Sequence, residues 1–157
     1  MKNFLIIFLV LFSIHISAEP VEIKYNSIVL NGFYSSQSEK SKSIAIILHG
    51  TRGHQNLELM TSLRDSLLSN GVDSLTINLS YGINNRINDF LSCDIEHEHK
   101  QSDSQDEINL WYEYIKKIGY EKIYLIGHSR GGLDIINFYE SLDSKYQKPI
   151  NSMFLLA

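Results

Sequence analysis

Residues 122–132 read KIYLIGHSRGG. A run of β-branched, aliphatic and aromatic residues, Ile123 to Ile126, stops at Gly127; Ser129 follows two positions on, and Gly131 two after that. This composition predicts a strand, a sharp turn and a helix start, with Ser129 at the apex. In a G-x-S-x-G turn the two glycines let strand and helix approach closely, and the serine hydroxyl is pushed off the end of the sheet. A short motif also arises by chance, so its context matters. Here a buried-type strand precedes the motif, and an amphipathic stretch with Leu133, Ile136, Phe138 and Tyr139 follows it to about Leu142.

The chain on either side repeats the alternation of strand and helix. Val21 to Ser35 alternates around Asn26-Ser27 and predicts an antiparallel hairpin. Ser43 to Leu48 (SIAIIL) is continuously apolar, the mark of an internal strand buried on both faces, and it ends at His49-Gly50-Thr51-Arg52-Gly53-His54. Asn56 reads as the cap of a helical stripe of Leu57, Met60, Leu63, Leu67 and Leu68 that closes at Asn70-Gly71. Val72 to Leu79 has strand composition, and Ser80 to Asp103 lacks a long apolar period, as expected of a functional loop or an insertion. Ser104 and Glu107 read as a capping box ahead of the stripe Ile108, Trp111, Tyr112, Ile115 and Ile118, with Lys116 and Lys117 in the last turn and Gly119 beyond. A polar loop, Asp143 to Pro149, leads to a final strand, Ser152 to Ala157. The order specifies an α/β fold: a mostly parallel sheet with helices on both faces. Such sheets bind ligands at the carboxyl ends of their strands, where both glycine-rich turns fall.

The 157 residues are 43% hydrophobic and 20% charged, an ordinary globular balance for one domain. Residues 1–18 stand apart: Lys2, an apolar segment Phe4 to Phe12, then a small and polar end at Ser13 to Ala18. They read as a secretory signal cleaved after Ala18, with export to a periplasmic or extracellular location, no stable membrane insertion afterwards, and residues 19–157 as the mature domain. The net charge of −4, more negative still without Lys2, argues against nucleic acid or an anionic membrane surface as partner. The single cysteine, Cys93, has no internal disulfide partner, so it is either buried or free to react. Cys93, His97 and His99 are metal-ligand types, but no second ligand pair follows, and no metal or cofactor is assigned.

With His49 to Gly53 after the third strand and Gly127-His128-Ser129-Arg130-Gly131 after the fifth, the sequence resembles the α/β-hydrolase superfamily of serine hydrolases. The resemblance covers Val21 to Ala157, about the first two thirds of a complete member, so the last strands are missing and the chain is C-terminally truncated by comparison. It implies that Ser129 is the nucleophile and that an ester or thioester is cleaved through an acyl-serine intermediate, with a small-molecule ester-like substrate and no cofactor. It further implies an oxyanion hole built from the backbone N–H groups of Arg130 and Thr51. His49 and Gly50 belong by resemblance to the oxyanion loop, and Gly127, His128 and Gly131 to the elbow. His49 and His128 are then structural or pocket-lining residues rather than the base. His54 is either an exposed loop residue or a substrate contact; His97 and His99 either belong to a solvated loop or, because that loop leads into the helix before the elbow, one of them lines the site. The Arg130 side chain either attracts an anionic substrate group or pairs with a nearby carboxylate.

One departure matters. The family orders its triad as nucleophile, acid, histidine. All six histidines here precede Ser129, and the acids after it (Asp134, Glu140 and Asp143) fall in or at the end of the following helix. The triad acid and histidine are therefore absent from the family's positions, and a catalytically inactive binding or interaction module is the alternative expectation.

Overall fold

The computed structural model describes residues 16–37, 41–96 and 99–157. The leader assigned to residues 1–18 lies outside them except for Ile16 to Ala18, which open the first strand. Six strands form one sheet: β1 (Ile16–Tyr25), β2 (Ile28–Gln37), β3 (Ser43–Leu48), β4 (Asp73–Ile77), β5 (Lys122–His128) and β6 (Ile150–Leu156). Their order is β1-β2-β4-β3-β5-β6. β1 and β2 form the hairpin expected around Asn26-Ser27, and β2 runs antiparallel to β4; β3, β4, β5 and β6 are mutually parallel.

The helices are α1 (Glu58–Ser69), α2 (Gln101–Lys117), α3 (Arg130–Ser141) and the short α4 (Ser144–Gln147). After β3 the chain passes through α1 to β4 on one side; from β5 it passes through α3 to β6 on the other. Right-handed crossovers in opposite directions place their helices on opposite faces. Accordingly Met60 of α1 packs with Ala45, Ile47 and Ile126, whereas Trp111, Tyr112 and Ile115 of α2 and Ile135 and Phe138 of α3 pack with Ile44, Ile46, Leu75 and Leu125 on the reverse. β3 at the centre is buried on both faces, which is why its sequence is apolar without alternation. The direction of winding reverses between β3 and β5, so a crevice opens beyond their carboxyl ends.

Three local expectations are corrected. Ser104 and Glu107 do not cap α2: the helix starts at Gln101, Asp103 Oδ2 accepts the Lys100 amide at 2.7 Å, and Ser104 and Glu107 are buried within the helix. Asn56 does not cap α1, whose N-cap is Leu57 with no side-chain cap; Asn56 Nδ2 instead donates to Asn88 Oδ1 at 2.5 Å. The polar loop after Leu142 contains the single turn α4.

Candidate active site

Ser129 sits between β5 and α3 with φ 51° and ψ −121°, a backbone conformation that a residue with a Cβ rarely adopts. Close backbone packing holds it there. A Cβ on Gly131 would collide with the His49 carbonyl oxygen and lie 2.9 Å from that of Leu48, while one on Gly50 would lie 3.2 Å from Ser129 Cβ. The glycines thus let β5, the start of α3 and the loop after β3 meet at one point. The Ser129 amide donates to the Leu156 carbonyl of β6 at 2.7 Å, and its side chain is on the exposed end of the sheet.

The neighbouring loop is a turn closed by the Gly53 amide on the Gly50 carbonyl at 3.0 Å, with Arg52 at φ 59°. Neither the Thr51 amide nor the Arg130 amide has a hydrogen-bond acceptor among the described residues. Arg130 opens α3, so its amide is one of the donors that a helix start leaves unused and that carry the positive end of its dipole. Thr51, Arg52, Tyr81, His99, Arg130 and Asp134 line a cleft of about 260 Å³. A separate open groove is lined by Ser129 itself with Leu133, Ile136, Leu155 and Leu156.

His49 is buried with both ring nitrogens engaged. Nδ1 lies 2.7 Å from the Gly50 carbonyl, and Nε2 accepts the Leu79 amide at 3.3 Å, which specifies the Nδ1–H tautomer. Burial, reinforced by the Arg86 and His54 charges and only partly opposed by the Gly50 carbonyl, lowers its pKa to about 3. The ring is neutral near pH 7, and its geometry is that of a loop fastener. His128, at the end of β5, is half-buried, with Nδ1 against Gly50. His54 meets the Phe90 ring edge-on at 5.3 Å, and its pKa is lowered chiefly by desolvation.

The Arg130 guanidinium turns along α3 to the buried Asp134 carboxylate at 3.5 Å and also contacts Gln101, whose Nε2 donates to Asp134 at 2.5 Å. Of the two expectations for this side chain, the contact formed is the carboxylate pair. His99 lines the cleft, 3.5 Å from Glu107 and edge-on to Tyr81 at 5.2 Å, whereas His97 lies outside the described residues. Arg52 Nη1 reaches the exposed Cys93 Sγ at 2.5 Å, and no cluster of three potential metal ligands occurs among the described residues.

Sequence reasoning missed several residues that shape the cleft. Glu107 accepts the Ser80 amide at 2.7 Å and the Ser80 hydroxyl, which fixes the turn before Tyr81. Asn78 accepts the Gln55 amide at 2.7 Å and donates to Arg86 and Ile87 carbonyls at 2.9 and 2.6 Å. The one available signal for Asn78 was a polar residue ending an apolar strand.

No protein-family model matches the chain, and no curated protein sequence matches it. Solved structures do. A cold-adapted esterase from an Arctic intertidal metagenomic library matches with a TM-score of 0.70 at 17% identity, over 89% of this chain and 60% of that one. Est1E from Butyrivibrio proteoclasticus matches with a TM-score of 0.67 at 20% identity, over 85% of this chain and 48% of the other. The α/β hydrolase GrgF from Penicillium sp. sh18 matches with a TM-score of 0.70 at 13% identity, over 90% and 46% respectively. The chain thus has an α/β-hydrolase-like fold and spans about half the length of these proteins.

Proposed function

We propose that this chain carries the nucleophile half of an exported serine hydrolase that cleaves an ester or thioester through an acyl-Ser129 intermediate. The carrying observation is the left-handed Ser129 backbone at the head of α3, beside the amides of Thr51 and Arg130, which have no acceptor among the described residues. Attack by the hydroxyl on an acyl carbon places negative charge on the carbonyl oxygen. Preset backbone donors stabilise that charge without reorganising at the moment of reaction. A fold-level likeness to esterases supports ester chemistry, as does the structural match to the thioesterase domain from the curacin biosynthetic pathway for a thioester. Deprotonating the hydroxyl requires a general base, and the histidines of residues 1–157 stand before the serine rather than after it. A substrate that fits the cleft and the apolar groove is a small organic ester.

The test is covalent labelling of the full-length gene product by a fluorophosphonate probe, with the modified peptide identified by mass spectrometry. Labelling confined to Ser129 and lost in Ser129→Ala is expected. A folded full-length protein that does not label would instead assign the chain to a binding module that keeps the elbow as a turn.

A further inference from the structure

Arg86 lies in the irregular segment between β4 and α2, yet it is 6% exposed while residues 84, 85 and 87 to 90 around it are exposed. Among the described residues no carboxylate comes within ion-pair distance of it. Its guanidinium donates instead to four backbone carbonyls: Leu79 at 2.8 Å, Arg52 at 3.3 Å, Asp89 at 3.2 Å, and Gly53. It also lies 5.1 Å from the centre of the Tyr81 ring. Two of those carbonyls belong to the turn that presents the Thr51 amide.

We propose that Arg86 is a positioning residue for the oxyanion hole, acting through the Arg52–Gly53 main chain on the direction of the Thr51 N–H. This rests on the reading of Ser129 as the nucleophile. Arg52 holds φ 59°, which is unfavourable for a residue with a Cβ. Without a clamp, the peptides on either side of Arg52 relax by rotating, and rotation re-aims the neighbouring amide. Bonds from a charged donor resist that rotation more strongly than neutral ones, and the planar fork of arginine reaches several carbonyls at once. The Leu91 amide adds a second donor to the Arg52 carbonyl at 3.0 Å. Asn78 ties the same two segments together from beneath through Gln55 and Arg86. The long irregular segment is thereby a strap over the oxyanion loop, and Arg86 is its buckle.

A double-mutant cycle on the full-length protein tests this, read as the maximal rate of fluorophosphonate labelling of Ser129 and the probe concentration giving half that rate. Thr51→Pro deletes the amide at the second position of a turn, where proline is favoured. Loss of one oxyanion donor costs about 10² to 10³ in rate. Arg86→Gln is expected to slow maximal labelling at least tenfold with half-saturation unchanged within about twofold, and to add little in the Thr51→Pro background because both act on one donor. Arg86→Lys, which keeps the charge without the fork, is expected to recover only part of the rate. It also replaces the Gln variant in the cycle if that variant does not unfold cooperatively. Multiplicative losses in the double variant, or wild-type labelling rates in both Arg86 variants, overturn the positioning role while leaving Ser129 as nucleophile. Wild-type protein unreactive at Ser129 overturns both.

Discussion

A Cβ placed on Gly127 would lie 2.5 Å from the carbonyl oxygen of Gly131, a distance that real Cβ atoms essentially never show. β5 and the first turn of α3 are therefore in backbone contact across the serine, with no side chain between them. Gly127→Ala must push α3 away from the sheet, and inserting a methyl group into a rigid contact typically costs about 1 to 3 kcal/mol. Urea unfolding is expected to show at least that loss, together with slower Ser129 labelling.

Ser129 supplies a second prediction through its own backbone. Held at φ 51°, it carries strain that such residues store to the extent of about 1 to 3 kcal/mol. Elsewhere glycine is less stable than alanine by roughly 0.5 to 1 kcal/mol. At this position the order is expected to reverse, with Ser129→Gly unfolding at higher urea than Ser129→Ala. The usual order would show that the turn is not strained.

His49 makes stability depend on pH. Its folded pKa, lowered by burial to about 3, lies below the ordinary value of 6.5 that it regains on unfolding. Above 6.5 the ring is neutral in both states. Between 6.5 and 3 only the unfolded chain takes up the proton, so stability falls as the pH is lowered, by at most about 1.4 kcal/mol per pH unit from this group. His49→Gln, which keeps an amide acceptor for Leu79, is expected to remove this slope. Equal pH dependence in variant and wild type, followed by urea unfolding from pH 7 to 4, would assign it to other groups.

The elements that place the serine were legible because each has a local cause. The apolar run of β3, the stop at Gly127 and the stripes of α1 and α2 all state their burial in adjacent residues. The strands adjoining each other in the sheet, and the reversal of winding between β3 and β5, follow from handedness rules acting on that order. What could not be read were contacts between residues far apart in sequence. Glu107 resembles a helix cap because Ser104 stands three residues before it, and only folding shows that its carboxylate reaches Ser80. Arg86 sits among asparagines and looks solvated, because the four carbonyls that bury it come from three separate stretches of backbone. Polar residues fixed by main-chain groups leave no periodicity behind them.

Glu107 gives a graded test of how firmly α2 holds the cleft. Its carboxylate, 3% exposed, accepts both the amide and the hydroxyl of Ser80, whose oxygen in turn accepts the Gly82 amide at 3.0 Å. Between these residues Tyr81 holds φ 52°. Three substitutions separate the contributions. Ser80→Ala deletes the hydroxyl but leaves the Ser80 amide bonded to the carboxylate. Glu107→Gln keeps one acceptor oxygen and turns an N–H group toward the other donor. Glu107→Leu leaves the Ser80 amide buried without an acceptor, and an unsatisfied buried group costs about 1 to 3 kcal/mol. Stability measured by urea unfolding is expected to fall in that order, with Glu107→Leu the most damaging although leucine fits a helix interior well. Since the turn at Ser80 to Gly82 carries Tyr81 into the cleft wall, Ser129 labelling is expected to slow in the same order. If Glu107→Leu were as stable as the wild type, helix propensity and apolar packing would outweigh the Glu107 hydrogen bonds at this site, and the turn would be held by its own Ile83 amide to Ser80 carbonyl bond and by Arg86.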